Sequence, residues 1–329
     1  MPEFGYEPAQ KNNWYTEGRL PDNSNFLPID FNLDRAFGYD PLVAYPFAVV
    51  GDTFYSIKDA DIFAIDTKTL RIKWQFRAVG PGNYSALLAA WGNLVIIALT
   101  EKLFVLEDKG DRYEVKWTHS VSGESFNNNV TFDDQTIFYT LYRGETLSTP
   151  PSSKIVAHNA FTGAFMWQYI PNGDAETLAG GGHLFIRGRQ NTSNDFKTIA
   201  LSPIDGTVDW ERTLTFDTRP SIDGSMVYSD NLLYMYEEQS GQKEIVALDT
   251  ATGNIVWQHT TDTPTKNFLG GNLTVNDEIV LYLNEYEYMV ALDKKTGAVK
   301  WKAKYYPAGV YSKQVYGRPI LTNSQIFLS

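Results

Sequence analysis

The side chains that most often carry chemistry are few in this chain and poorly spaced for it. The four histidines, His119, His158, His183 and His259, show no metal-ligand spacing, and no HExxH motif occurs. His158 and His259 lie in or beside a repeated motif, where a structural role is expected. There is no cysteine, which excludes disulfides, thiolate metal sites and a cysteine nucleophile. No Gly-x-Ser-x-Gly elbow presents a serine nucleophile. The stretch AGGGHLF, Ala179 to Phe185, lacks the Lys-Ser/Thr of a phosphate loop and reads as an inner strand kept thin where sheets crowd together. DNSNFLPIDFNLD, Asp22 to Asp34, alternates oxygen-bearing residues. A calcium loop would need Gly at its sixth position and Glu at its twelfth, and neither is there. No metal site is expected, and spacing alone identifies no carboxylate pair for acid/base work.

The bulk composition narrows the partners. The net charge is −11 and no Lys/Arg run occurs, which argues against a nucleic-acid binder. The 20 Tyr, 19 Phe and 8 Trp, with many Thr, Val and Ile, favour a β-rich fold. The most apolar stretch, SALLAAWGNLVIIAL from Ser85 to Leu99, is too short to span a bilayer comfortably, and its WGN middle reads as a tight turn between two strands. No transmembrane segment is expected. The opening MPEFGYEPAQKNNWYTEG has neither the basic start nor the apolar core of a signal peptide.

Tryptophan supplies the organising signal. AIDTKTLRIKW ends at Trp74, VLEDKGDRYEVKW at Trp117, AHNAFTGAFMW at Trp167, and ALSPIDGTVDW at Trp210. ALDTATGNIVW and ALDKKTGAVKW follow, ending at Trp257 and Trp301. The spacings are 43, 50, 43, 47 and 44 residues, so the chain is a repeat protein. Each period holds four short strand-like runs separated by turn residues, the pattern of a four-stranded antiparallel propeller blade. Within the motif, Asp or Asn can bond the amides of its own turn, and Gly permits a positive φ. The small Ala allows close approach. The Trp offers a large apolar face and one N–H in need of an acceptor, so one copy per blade would dock each blade on the next.

These copies resemble the tryptophan-docking repeats of the PQQ-like propeller family, which includes BamB-like and quinoprotein-dehydrogenase-like propellers. Departures are Leu70 where Gly is expected, Asn159 and Ser202 in place of Asp, and the lengthened second copy. The segment NNWYTEGRLPDNSNFLPID also resembles the Trp-containing opening of such propellers, which adds Trp14 to the docking set. The resemblance implies an all-β, single-domain propeller over 41–329, with residues 1–40 contributing to ring closure. The 28 residues after Trp301 and the 14 up to Trp14 together make about one period. Seven blades are therefore expected, with eight as the alternative. In that closure the N-terminus adds the outer part of a last blade whose inner strands come from the C-terminus, leaving no free sheet edge.

The resemblance also frames function. Its dehydrogenases hold PQQ with a vicinal Cys pair, a Glu/Asn calcium site and an Asp base. None of these can be placed here, so no cofactor is expected. The reading that follows is a non-enzymatic, BamB-like, extracytoplasmic scaffold that grips another protein or protein complex through loops on one face. The alternative is a saccharide-binding or carbohydrate-active propeller working at the channel mouth. The uneven connections between second and third strands mark that face: YRGETLSTPPSSK (Tyr142 to Lys154) is long and Pro/Ser-rich, GRQNTSNDFK (Gly188 to Lys197) is polar, and EEQSGQKE is intermediate. Asn127, Asn128, Arg219, Lys266, Asn267, Tyr316 and Arg318 are the candidate channel-mouth residues. Arg219 and Arg318 each precede a Pro at the entry to an inner strand.

Overall fold

In the computed structural model of the protein, the described residues are 26–27, 47–58, 61–78, 87–133, 135–144, 152–171, 173, 175–189, 196–214, 226–239, 242–264, 273–283, 288–304, 320–322 and 326–327. Among them the regular structure is β throughout. A short strand, β1 (Phe26–Leu27), precedes six blades. Blade 1 comprises β2 (Phe47–Val50), β3 (Thr53–Lys58), β4 (Asp61–Asp66) and β5 (Ile72–Arg77). Blade 2 comprises β6 (Leu87–Trp91), β7 (Leu94–Ala98), β8 (Lys102–Asp108) and β9 (Tyr113–Ser120). Blade 3 comprises β10 (Ser125–Asp133), β11 (Thr136–Arg143), β12 (Ser152–Asn159) and β13 (Phe165–Tyr169). Blade 4 comprises β14 (Glu176–Gly180), β15 (His183–Arg189), β16 (Phe196–Leu201) and β17 (Val208–Leu214). Blade 5 comprises β18 (Met226–Ser229), β19 (Leu232–Gln239), β20 (Gln242–Asp249) and β21 (Ile255–Pro264). Blade 6 comprises β22 (Thr274–Val275), β23 (Ile279–Leu283), β24 (Tyr288–Asp293) and β25 (Val299–Lys304). The strands β26 (Ile320–Thr322) and β27 (Ile326–Phe327) follow.

Every blade is a four-stranded antiparallel sheet whose strands pair in chain order. The first strands of successive sheets are neighbours from β2 through β6, β10, β14, β18 and β22 to β26. The molecule is thus a β-propeller. A blade is covered on both faces by its neighbours, so its inner strands are apolar on both faces. That is why LVIIA in β7 is buried at all five positions, whereas β9 and β25 are only exposed or half-buried. Between blades 4 and 5 the thin AGGG stretch meets its reason: a Cβ on Gly180 would lie 2.6 Å from the ring of Tyr228 on β18.

The two ends of the chain meet in a three-stranded sheet of order β1-β26-β27. Phe26 pairs with Leu321 and Leu27 with Thr322, in parallel. The N-terminal strand therefore joins the C-terminal sheet, but it lies beside β26 rather than outside β27. Trp14 falls outside the described residues.

Candidate functional site

The repeated motif builds one turn five times. In blade 5 the Asp249 carboxylate accepts hydrogen bonds from the amide and hydroxyl of Thr252, at 2.9 and 2.7 Å. Asp66 with Thr69, Asn159 with Thr162, and Asp293 with Thr296 repeat the arrangement. The backbone closes it: Gly253 N–H donates to Asp249 O, and Asp249 N–H to Asn254 O. The fifth residue needs positive φ, and Gly163, Gly206, Gly253 and Gly297 take values of 70–73°. Leu70 occupies the same position at 57°. In blade 4, Ser202 stands where the acid belongs, and Asp205 supplies the carboxylate instead, accepting from the amide and hydroxyl of Thr207. The Thr207 hydroxyl and then Ser202 hold the Asp205 carboxyl below the ordinary carboxylate range. Thr69 and Thr296 do the same for Asp66 and Asp293.

The tryptophans reach from each turn's neighbour. In all six blades the Trp lies opposite the small motif residue of the third strand, Ala64, Val105, Ala157, Ala200, Ala247 or Ala291. The register slips at the same place each time, so the residue before each Trp is a bulge that re-aims the strand. Four indoles donate to the same backbone position in the next blade's turn: Trp117 to Ala160 O, Trp167 to Pro203 O, Trp210 to Thr250 O, and Trp257 to Lys294 O, at 2.8–3.0 Å. The ring lies over the turn glycine so closely that a Cβ there would sit 2.5–2.7 Å from indole carbon. Trp301 is half-buried against blade 6, and the sheet that follows it is mostly outside the described residues.

The seam between blades 1 and 2 is made differently, because the lengthened second turn offers no glycine to the indole. Asp108 takes its place: its carboxylate accepts from Trp74 Nε1 at 2.9 Å, from Tyr55 Oη at 2.6 Å and from the Gly110 amide at 2.7 Å. Burial, followed by the Asp108 carboxylate, drives the Tyr55 phenol far above its ordinary value. Tyr113 completes the seam, 5.4 Å from the Trp74 ring.

Two further clusters lie between blades. At the seam of blades 2 and 3, the His119 and His158 rings stand 5.1 Å apart, His158 stacks on Trp117, and Tyr139 lies 5.7 Å from His158. His158 Nδ1 meets Gly163 O at 3.0 Å and so carries the proton. Burial lowers the affinity of both histidines for a second proton, and His119 is held down further by His158. Of the remaining histidines, His183 Nδ1 meets Asp209 at 2.9 Å and His259 Nε2 meets Tyr282 Oη at 3.3 Å. Between blades 4 and 5, the buried Arg187 donates from Nη2 to Tyr236 O, while Nε and Nη1 have no hydrogen-bond partner among the described residues. Burial pushes its guanidinium down to about 10, against the nearby Glu237 and Glu176. Arg212 grips Glu237 with two bonds of 3.0 Å. Neither Asp108 nor Arg187 could be singled out from the sequence, since their partners lie a blade away.

Antiparallel pairing in chain order puts the second-to-third-strand connections and the blade-to-blade connections on one face. Longer strands shrink the former: β11 runs to Arg143 and β12 starts at Ser152, while β15 runs to Arg189 and β16 starts at Phe196. In blade 5 only residues 240–241 separate β19 from β20, so the rest of EEQSGQKE belongs to the two strands. Asn127 and Asn128 lie on the inner strand β10, where the pairing skips from Asn127 to Val130. Arg219, Lys266, Asn267, Tyr316 and Arg318 lie outside the described residues. Among the described residues, no three His, Asp or Glu are grouped to hold a metal ion. No helix among them is long and apolar enough to cross a membrane.

The sequence model of the family described as "Outer membrane protein assembly factor BamB" matches residues 40–242 and 151–329. Among solved structures, BamB from Moraxella catarrhalis superposes with a TM-score of 0.56 at 18% identity, covering 80% of this chain and 76% of that one. A europium-containing methanol dehydrogenase gives 0.65 at 13% identity, over 96% and 81% of the two chains. Quinohemoprotein alcohol dehydrogenase from Comamonas testosteroni gives 0.55 at 14% identity, over 87% of this chain and 62% of that one. No curated protein sequence matches the chain. Identities this low speak for the fold alone.

Proposed function

The chain belongs to the family described as outer membrane protein assembly factor BamB, and from that premise we infer a non-enzymatic propeller scaffold that holds another protein through the loops on one face. The observation that carries the reading is where the conspicuous residues are spent. In blade 5 the Asp, Thr and Gly of the motif close their own turn and the Trp locks the next blade, and blades 1, 3, 4 and 6 build the same turn with none, one or two of the three turn residues replaced. A repeat that serves the scaffold leaves recognition to the segments that differ between blades. Those are residues 144–151 and 190–195, with Asn127, Asn128, Arg219, Lys266, Asn267, Tyr316 and Arg318 as candidate contacts on the same face. In this reading the partner is a protein of the outer-membrane assembly apparatus and the chain works outside the cytoplasm, which the family description supports.

The test is crosslinking and co-purification in the native host with two variants: residues 144–151 replaced by a short Gly-Ser link, and R219E/R318E. Loss of an outer-membrane assembly protein from the crosslinked set, with an unchanged melting temperature, supports the scaffold. Full retention of that partner by both variants, or turnover of a saccharide by the purified chain, removes it.

A further inference from the structure

Each blade ends in a fourth strand whose outer edge has no partner strand among the described residues. An unpaired edge is a template for another strand, and proteins commonly guard it with charge. Blade 1 carries Lys73 and Arg77 on this strand, blade 2 Glu114 and Lys116, blade 4 Asp209, Glu211 and Arg212, and blade 6 Lys300, Lys302 and Lys304. Blade 5 ends its strand with Asp262 and Pro264. Blade 3 has no such guard: from Asn159 to Gly173 there is no Asp, Glu, Lys or Arg. The same rim exposes Phe161 by 40%, Phe165 by 59%, Met166 by 38% and Ile170 by 64%. The uncharged start of β21 exposes only Ile255 and Val256 as large apolar residues.

We propose that the outer edge of blade 3 is a self-association surface, on which β13 of one copy pairs antiparallel with β13 of a second. The occupant follows from charge. In a two-fold antiparallel pair each strand meets its own sequence reversed, so a charged edge sets like charges against each other. The three lysines of β25 forbid such pairing with themselves; β13 brings no charge to it. The bulge at Met166 and the end of β13 at Tyr169 confine regular pairing to Trp167–Tyr169, centred on Gln168, with the exposed apolar Phe165, Met166 and Ile170 flanking it. A contact of this kind is isologous and stops at two copies. Because each copy carries a net charge of −11, salt screens the repulsion between copies and strengthens the dimer. The surface is separate from the loop face, so it stands or falls independently of the scaffold reading.

Sedimentation equilibrium between about 1 and 100 μM, at low and high salt, tests it. The wild type is expected to dimerise more tightly as salt rises. Q168K/I170K, which makes the net charge less negative and so weakens the overall repulsion, is expected to raise the dissociation constant at least about tenfold. V256K on blade 5 leaves it unchanged. Circular dichroism and a thermal melt check that both variants fold. Hydrogen exchange on the wild type adds a readout free of mutation: amides of 167–169 slow as concentration rises. A wild type that stays monomeric at every concentration and salt, a dimer untouched by Q168K/I170K, or concentration-independent exchange at 167–169 overturns the proposal.

Discussion

Glycine at the end of the repeated turn serves two separable purposes: it accepts a positive φ, and it leaves room for the neighbouring indole. Gly297, at φ 70°, would place a Cβ 2.5 Å from Trp257, whereas Gly182, at φ 74°, has nothing within 4 Å of that point. Gly182→Ala is expected to cost about 1 kcal/mol, the price of left-handed backbone alone. Gly297→Ala adds about 1–3 kcal/mol for displacing the ring. Leu70 gives the opposite sign, because it bears the backbone strain with a side chain 40% exposed. Leu70→Gly is expected to stabilise by about 0.5–1 kcal/mol. Urea unfolding of the three variants measures all of this, and equal losses for the two alanine variants would refute the steric half. These residues were legible in the sequence, because a turn is local: Asp, Thr and Gly bond within five residues of one another.

At the scale of the element, the seam of blades 2 and 3 responds to pH. His119 and His158 have folded-state proton affinities below that of a free imidazole, chiefly through burial. As pH falls past about 6.5, the unfolded chain takes up protons first, so stability is full above that value and drains away below it. The urea midpoint is expected to fall between about pH 7.5 and 5.5, and H119Q/H158Q to flatten that slope. An unchanged slope in the double variant would show that the seam does not titrate. The sequence identified the fourth strand and its Trp but not the bulge before it, since a slipped register leaves the apolar pattern intact. Nor did it show Asp108, whose partners Tyr55 and Trp74 lie 53 and 34 residues away.

For the whole molecule, the period of the tryptophans was enough to yield the propeller, because every blade must bury the same faces against its neighbours. The candidate binding face was legible only as loop length and composition, because loops carry no repeating packing demand. The ends of the chain are tied at Phe26–Leu321 and Leu27–Thr322. Deleting residues 1–30 is expected to lower the melting temperature and open residues 305–329 to protease. A truncated chain with the wild-type melt and digestion pattern would mean the pairing adds nothing. The four later seams close on a backbone carbonyl, which every amino acid possesses, while the first closes on the side chain of Asp108. Blades 3 to 6 can therefore change the residue that receives the indole, or be duplicated and shuffled like cassettes, so long as each turn keeps its glycine. Blade 2 cannot: its neighbour recognises one particular acid, which makes it the unit whose place in the order is specified.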